Sequence, residues 1–172
     1  MTAPPDRADQ LDGHPGVNRV RQVLAGLSVS GRVVVLEEHA RTAAQAAAQL
    51  GVQVGQIANS LVFAVPSDAP GGRRPLLVLT SGSHRVDVLQ VASLLGVESL
   101  ERADPDFVRQ HTGFVIGGVA PVGHTRPVET LVDVALAGHD VVWAAAGHPR
   151  AVFPTRYDEL LRITAGHPVE VD

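Results

Sequence analysis

The residues of this chain best suited to chemistry form a glycine loop, GFVIGGVAPVGH, that spans Gly113–His124. An apolar run over 114–116 has the composition of a strand and breaks at Gly117 and Gly118. Two consecutive glycines allow positive φ and a close approach of the backbone to a ligand, while Pro121 stiffens the exit. The loop is therefore predicted to direct bare backbone N–H groups at one point. The alternative is a tight turn between strands with no binding role.

A second segment of small residues is predicted to form the opposite wall of the same cleft. It contains three alanines, a glycine and a histidine over 144–148, and it follows the apolar run 141–143. We expect a strand that ends at Trp143 and a turn after it. The alternative, again, is a turn that only connects two strands.

Side chains that could act as a base, a nucleophile or a metal ligand are few. His84, His124 and His148 are candidate general bases, and the alternative for each is a polar group that completes a strand or turn. The eight histidines include no HExxH motif or close pair, and carboxylates do not cluster with them, so no metal site is predicted. Ser81 lacks the Gly-x-Ser-x-Gly frame of a nucleophile turn, and we interpret Thr80 and Ser81 as turn and pocket-wall groups.

Composition excludes several classes of chemistry. The chain has no cysteine, which excludes disulfides, thiolate metal sites and thiol nucleophiles. No cofactor is expected. The formal net charge of −4 argues against broad coating of DNA or other nucleic acid, because that binding neutralises many phosphates. The net charge does not exclude binding of one short single-stranded end of a nucleic acid.

Length and hydropathy predict one soluble domain. A chain of 172 residues with 45% hydrophobic residues is long enough for a single sizeable core. The N-terminus lacks the pattern of a signal peptide, and no apolar run is long enough to cross a membrane. We therefore expect a cytoplasmic protein that does not contact a membrane.

The predicted elements give an α+β fold with peripheral helices. Residues 1–15 are expected to be a disordered tail, and residues 16–172 a single domain. The predicted helices lie near 16–28, 43–50, 88–95, 105–110 and 157–164, with Thr42 as the N-cap and Gly51 as the end of the second, and Asp104 as the N-cap of the fourth. The predicted strands lie near 32–37, 60–65, 76–80, 97–100, 130–135 and 141–143. Most connections between strands are not full crossover helices, which favours a mixed or antiparallel sheet over a doubly wound one.

Several segments taken together resemble one known family. They read TAAQAAAQLGV, QIANSLVF, LVLTSGSHRVD, GFVIGGVAPVGH and VWAAAGHPRAVFP, in this order from residue 42 to residue 154. The set resembles the YbaK-type aminoacyl-tRNA deacylases, free-standing relatives of the editing domain inserted in bacterial prolyl-tRNA synthetases. The resemblance covers roughly residues 16–166, and its most specific element is the Gly-x-x-x-Pro loop from Gly117 to Pro121. It implies a compact domain with a mixed, barrel-like sheet flanked by helices.

The resemblance also implies an activity and a set of site residues. The activity is hydrolysis of the ester that joins a wrong amino acid to the terminal ribose of a tRNA, often a proline tRNA. The expected partners are the tRNA acceptor end carrying an amino acid and prolyl-tRNA synthetase. The N–H groups of Gly117, Gly118 and Val119 are expected to hold the substrate carbonyl or its oxyanion. The expected substrate-binding residues are Ser60, Thr80, Ser81, His84, Arg85, Pro121, Ala145, Ala146, Gly147 and His148.

Position 59 departs from the family pattern. Relatives read I-x-K-S-L-x-F in this segment, whereas this chain has Asn59 at the lysine position. All fourteen of its basic residues are arginines, so no neighbouring lysine replaces it. A neutral hydrogen bond contributes about 1 kcal/mol against about 1.5–3 kcal/mol for a charge-assisted one, so we expect a weaker catalytic contact at Asn59. Arg85 and Arg150 are candidates for the missing positive charge.

The departure leaves a second function open. Ala145 stands where some members have a serine, which removes an alternative contact to the attacking water. A binding module that keeps the cleft without catalysis is therefore the alternative to a hydrolase. It would recognise an acylated tRNA end or a small ligand similar to an amino acid.

Overall fold

The computed structural model of the protein describes residues 11–172. The helices within this range are α1 (Pro15–Gly26), α2 (Ala43–Leu50), α3 (Val88–Leu95), α4 (Pro105–Thr112) and α5 (Tyr157–Thr164). The strands are β1 (Val34–Val35), β2 (Ile57–Pro66), β3 (Arg73–Ser81), β4 (Glu101–Arg102), β5 (Glu129–Asp133), β6 (Val142–His148), β7 (Ala151–Thr155) and β8 (His167–Val169). The predicted tail over 1–15 lies mainly outside the described residues, and its last residue, Pro15, begins α1.

The eight strands form one mixed sheet. Their order is β1-β7-β6-β2-β3-β5-β8, and β4 pairs with β2 outside this order. The pairs β2–β6, β3–β5 and β5–β8 are parallel. The pairs β1–β7, β2–β3, β2–β4 and β6–β7 are antiparallel. This confirms the predicted α+β class with a mixed sheet flanked by helices.

Helices α2 and α4 begin at the predicted capping residues. Thr42 Oγ1 accepts a hydrogen bond from the first turn of α2, and the Asp104 carboxylate accepts one from the Phe107 N–H of α4 at 2.8 Å. Gly51 ends α2 in the left-handed conformation, as predicted. Among the helices within residues 11–172, none is long and apolar enough to span a lipid bilayer.

Alternation along β2 and β3 divides the core into two layers. Val62 of β2 and Leu77 of β3 lie on one face, where they pack in the layer that contains the buried side of α1. Phe63 and Val78 lie on the other face, in the layer that contains the buried side of α3. Both faces of these central strands are therefore covered, which explains their nearly continuous apolar sequence.

The segment 141–148 differs from its prediction. The predicted turn at 144–148 is part of strand β6, and the chain reverses at Pro149 and Arg150 to form β7, which was not predicted. Small residues serve packing here, because a Cβ atom at Gly147 would lie only 2.6 Å from the Gly16 carbonyl oxygen of α1. The alanines and glycine therefore permit a close contact between sheet and helix and do not indicate a turn.

Three other segments also differ from what the sequence indicated. The apolar run 114–116, which has the composition of a strand, is a loop in the described chain, with Phe114 buried and Ile116 exposed. Strand β1 is limited to Val34–Val35, although a strand was predicted over 32–37. The strand predicted over 97–100 begins later, at Glu101.

Candidate functional site

An opening along one edge of β2 creates a pocket. On this edge β2 pairs with β6 through Ile57 and Ala58, and with β4 through Phe63 and Ala64. Within the described residues, no strand pairs with the intervening positions 59–62 on this edge. A cavity of about 120 Å³, here called the β2 edge pocket, lies beside the opening. Its lining includes Leu36, Arg41, Ala46, Ile57, Asn59, Ser60, Gly117, Trp143, Ala145 and Pro149.

The β2 edge pocket has an apolar floor and a polar rim. Leu36, Ala46 and Ile57 are buried, and Trp143 packs against the same cluster. Asn59 is exposed and Ser60 is half-buried, next to this floor. A small apolar chamber with a few polar groups beside it suits a small organic ligand, with the polar groups fixing its orientation.

Ser60 carries the least satisfied polar atom of the pocket. Its Oγ is shielded from solvent and has no hydrogen-bond partner among the described residues. Ser60 and Gly117 also line a second cavity of about 20 Å³, together with Val119 and Arg102. A buried hydroxyl without a partner is uncommon and calls for an explanation, such as a ligand or water that binds it.

The glycine loop approaches Ser60 through Gly117. Gly117 has φ +88°, a conformation that favours glycine. The Gly118 N–H donates to the Val115 carbonyl at 3.0 Å, so this group is not free to hold a substrate oxyanion. The N–H groups of Gly117 and Val119 have no acceptor within the described part of the chain. The predicted set of three donors is therefore reduced to two.

Gly118 is needed for packing. A Cβ atom at this position would lie 2.8–2.9 Å from the backbone N, Cα and C atoms of His148. The backbone of β6 cannot easily move away, because its residues pair with β7. A side chain at Gly118 would therefore disturb the packing of the folded domain.

We expect Gly118→Ala to lower the free energy of unfolding by about 1–3 kcal/mol, the usual cost of overpacking. Urea denaturation of the purified variant measures the change. Gly138→Ala is a matched control, because a Cβ atom there meets nothing within 4 Å. Equal stability of the two variants would contradict the close contact between Gly118 and His148.

Three of the predicted substrate-binding residues, Thr80, Ser81 and His84, surround a buried carboxylate instead. Asp133, at the end of β5, lies 2.9 Å from His84 Nδ1 and accepts a hydrogen bond from the Ser81 N–H at 2.9 Å. The Thr80 hydroxyl lies 3.4 Å from the same carboxylate oxygen. None of these residues lines the β2 edge pocket, and neither does the exposed Arg85. The sequence analysis missed Asp133, whose strand carries no motif that marks it.

The remaining predicted residues are separated from the pocket by alternation or by packing. Ala146 is fully buried in the core, whereas its neighbour Ala145 lines the pocket. Gly147 contacts α1, as described above. Pro121 lines a different, wider groove. Of the second small-residue segment, Ala145 is therefore the member that reaches the candidate site.

His148 belongs to a group of three imidazoles outside the pocket. Its ring centroid lies 4.9 Å from that of His14 and 5.6 Å from that of His39. Burial is the main cause that lowers the pKa of His148, and the charges of His14, His39 and Arg150 add to it. Residues 11–172 contain no group of three metal-ligating side chains arranged to hold a metal ion. His148 does not line the β2 edge pocket. The pocket therefore does not bring a substrate bond next to its imidazole.

The candidate base His124 is a structural group of the glycine loop. Its Nε2 lies 2.7 Å from the Ala120 carbonyl oxygen. Burial is the largest effect on the pKa of His124 and lowers it; the hydrogen bond to Ala120 raises it, and Arg19 lowers it. The folded protein therefore holds His124 neutral to lower pH than the unfolded chain does.

This difference predicts a pH effect on stability. Below about pH 6.5 the unfolded chain binds the proton at this position while the folded chain resists it, so the free energy of unfolding falls as the pH falls. We expect His124→Gln to lose less stability than the wild type between about pH 7.5 and pH 5.5. Urea unfolding at both pH values measures this, with the exposed His167→Gln as the control. A variant with the wild-type slope would contradict the effect.

Arg41 and Pro149 are pocket residues that the sequence analysis missed. Arg41 lies just before the N-cap of α2 in a stretch without regular structure, and Pro149 lies in the unpredicted β6–β7 turn. A lone arginine before a cap and a proline in a turn are common in any protein. Only the folded arrangement brings them to the same pocket as Asn59.

Comparison with known proteins places this geometry in a family. The family model of the aminoacyl-tRNA editing domain matches residues 37–163. The proline–tRNA ligase of Nitratidesulfovibrio vulgaris (strain DP4) is 30% identical over 140 residues, which cover 75% of this chain and 23% of the ligase. The chain thus spans about a quarter of the length of that ligase. The Bacillus subtilis protein YwhH is 30% identical over 115 residues, covering 67% of this chain and 69% of YwhH.

A solved structure is similar over nearly the whole chain. It is described as a candidate trans-editing enzyme for prolyl-tRNA synthetase, with 40% sequence identity and a TM-score of 0.82. The match covers 92% of this chain and 97% of that structure. The family model includes the glycine loop and most of the pocket lining, from Arg41 to Val152. The chain belongs to the aminoacyl-tRNA editing domain family.

Proposed function

We propose that this protein hydrolyses the ester bond of mischarged aminoacyl-tRNA in trans. The observation that carries the proposal is the meeting of three groups at the β2 edge pocket: the exposed amide of Asn59, the unpartnered Ser60 hydroxyl and the loop at Gly117. Membership of the editing domain family supports the same activity.

The proposed reaction uses backbone donors and a positioned water. The substrate carbonyl accepts hydrogen bonds from the N–H groups of Gly117 and Val119, which become stronger as the oxygen gains charge. The Ser60 hydroxyl orients a water against the carbonyl carbon. Attack forms a tetrahedral intermediate; the bond to the ribose oxygen then breaks, and this oxygen takes the proton released by the water. The products are a free amino acid and a tRNA with its terminal hydroxyl restored.

The described lining of the pocket provides no carboxylate or imidazole to act as a base. An aminoacyl ester is already reactive, so orientation and oxyanion stabilisation are sufficient to accelerate its hydrolysis. The proposal therefore assigns the rate enhancement to geometry and backbone dipoles.

The size and lining of the pocket favour a substrate with a small side chain. A cavity of about 120 Å³ with Trp143 and Ile57 in its lining suits a short aliphatic group better than a bulkier one. We propose a proline tRNA as the carrier and prolyl-tRNA synthetase as the associated enzyme, since several relatives are proline–tRNA ligases. The proposed location is the cytoplasm, where tRNA is charged.

A panel of aminoacyl-tRNAs tests the proposal. Purified protein is mixed with tRNAs charged with amino acids of increasing size, and the remaining ester is measured over time. We expect hydrolysis above the buffer rate for esters with small side chains and little effect on aromatic ones. No hydrolysis of any ester would refute the proposal. Tight binding without hydrolysis would instead support a binding module, which the neutral Asn59 favours.

A further inference from the structure

Arg41 stands at the β2 edge pocket in a fixed backbone position. Its N–H donates to the Gln45 side-chain oxygen at 2.7 Å, and the next residue, Thr42, caps α2. The Arg41 side chain is exposed and makes no ion pair or hydrogen bond within residues 11–172. The backbone of Arg41 is fixed, and its guanidinium has no partner within the described residues. This combination suits a side chain that binds a ligand.

Arg41 is also the charged member of the pocket lining. The other described residues that line the β2 edge pocket are neutral. The net charge of the chain is −4, so a polyanionic ligand receives no general attraction from the protein. Any favourable charge at this pocket therefore has to come from a local group.

The two arginines suggested by the sequence do not occupy this position. Arg85 lies outside the pocket lining. The Arg150 Nε donates to the Leu36 carbonyl at 3.0 Å, and its own N–H donates to His148 Nδ1 at 3.0 Å. Arg150 therefore links the β6–β7 turn to the segment around β1, whereas Arg41 is uncommitted.

We propose that Arg41 binds a phosphate of the single-stranded tRNA end and so positions the terminal ribose beside Asn59. This inference rests on the proposed function and names the group that recognises the nucleic acid. A guanidinium presents parallel N–H donors that match two phosphate oxygens, and it stays charged at every physiological pH. Asn59, on the same pocket, then needs to contribute only a neutral hydrogen bond.

Binding of an uncharged RNA oligonucleotide that ends in the acceptor sequence is the first test. We expect Arg41→Gln to weaken binding about tenfold at low salt, the size of one charge-assisted contact. The plot of log affinity against log salt should also become shallower by about 0.7, the contribution of one phosphate contact on a single strand. Arg109→Gln, an exposed arginine on α4, is the control with the same change in charge.

A double variant tests whether the charge itself is what Arg41 supplies. Asn59 is exposed on the same pocket, so a lysine there places a cation near the same phosphate. We expect Asn59→Lys to restore most of the binding and the salt slope that Arg41→Gln loses. If the double variant stays as weak as Arg41→Gln, the role assigned to the charge is overturned.

The outcomes separate this inference from the proposed function. Suppose that the wild type hydrolyses the ester and that Arg41→Gln matches the Arg109→Gln control in affinity, salt slope and KM. This result would overturn the inference and leave the proposed hydrolase activity in place. Binding that depends on Arg41 without hydrolysis by the wild type would support the phosphate contact and reject the hydrolase. Absence of both binding and hydrolysis would reject both.

Discussion

Ser60→Ala is expected to slow deacylation by about 100-fold while the free energy of unfolding stays the same or rises by about 1 kcal/mol. The reason is the state of the Ser60 hydroxyl, which is buried and has no hydrogen-bond partner among residues 11–172. A buried polar group without a partner costs stability, and its removal takes that cost away. In the proposed reaction the same hydroxyl orients the attacking water, so its loss affects the rate.

Two measurements on one variant decide this prediction. Single-turnover hydrolysis of a mischarged tRNA gives the rate, and urea denaturation gives the stability. Ser93→Ala, which removes an exposed hydroxyl from α3, is the matched control and should change neither quantity. A Ser60→Ala variant that is destabilised and fully active would show that Ser60 has a structural role alone.

Asp133→Ala is expected to lower the free energy of unfolding by about 3 kcal/mol, because a buried donor that loses its acceptor costs about 1–3 kcal/mol and two N–H groups lose theirs. The Asp133 carboxylate is buried and accepts hydrogen bonds from the Ser81 and Ala135 N–H groups at 2.9 Å each. It also contacts His84 at 2.9 Å. Removal of the carboxylate leaves the buried Ser81 N–H and the half-buried Ala135 N–H without this acceptor.

Asp133→Asn is the control for shape, since it keeps one oxygen acceptor in nearly the same volume. We expect its loss of stability to be smaller than that of Asp133→Ala. Urea unfolding followed by circular dichroism measures both. If the folded fraction of Asp133→Ala deacylates at close to the wild-type rate, Asp133 acts in folding. A selective loss of activity at full stability would indicate that the Asp133 network is part of the catalytic site.

Helix ends were predictable because their signals are local. Thr42 and Asp104 are capping residues with side chains that bind the next turn, and Gly51 ends its helix in a conformation that other residues avoid. Such contacts span three or four residues. They depend little on the rest of the fold.

The strands near the site were less predictable because long-range packing sets them. Residues 144–148 have the composition of a turn, yet they are part of a strand that pairs with β7 and β2, and Gly147 leaves room for α1 against it. Strand β8 pairs with the edge of β5, which lies more than 30 positions earlier in the chain. Neither segment contains a sequence pattern that indicates which neighbouring element stabilises it.

The sequence predicted the candidate site only where the strand topology brings the residues of the family motifs together. Asn59, Ser60 and Gly117, which the resemblance names as site residues, line one pocket, and their roles in the reaction stay predictions. Thr80 and His84 do not, because the buried Asp133 on the β5 side of β3 binds both. Arg41 joins the pocket through the placement of α2, which the sequence alone could not fix.

The most direct test of the hydrolase is the rate of ester cleavage when the β2 edge pocket is filled. Ala145 lines the pocket, so the Ala145→Leu side chain occupies the space proposed for the amino acid. Ala44→Leu adds the same side chain to the exposed face of α2 and serves as the control. With enzyme in excess over a tRNA that is mischarged with a small amino acid, the wild type and Ala44→Leu should cleave the ester well above the buffer rate. The Ala145→Leu variant should fall to the buffer rate while it remains folded. Cleavage by Ala145→Leu at the wild-type rate would contradict the assignment of the reaction to this pocket.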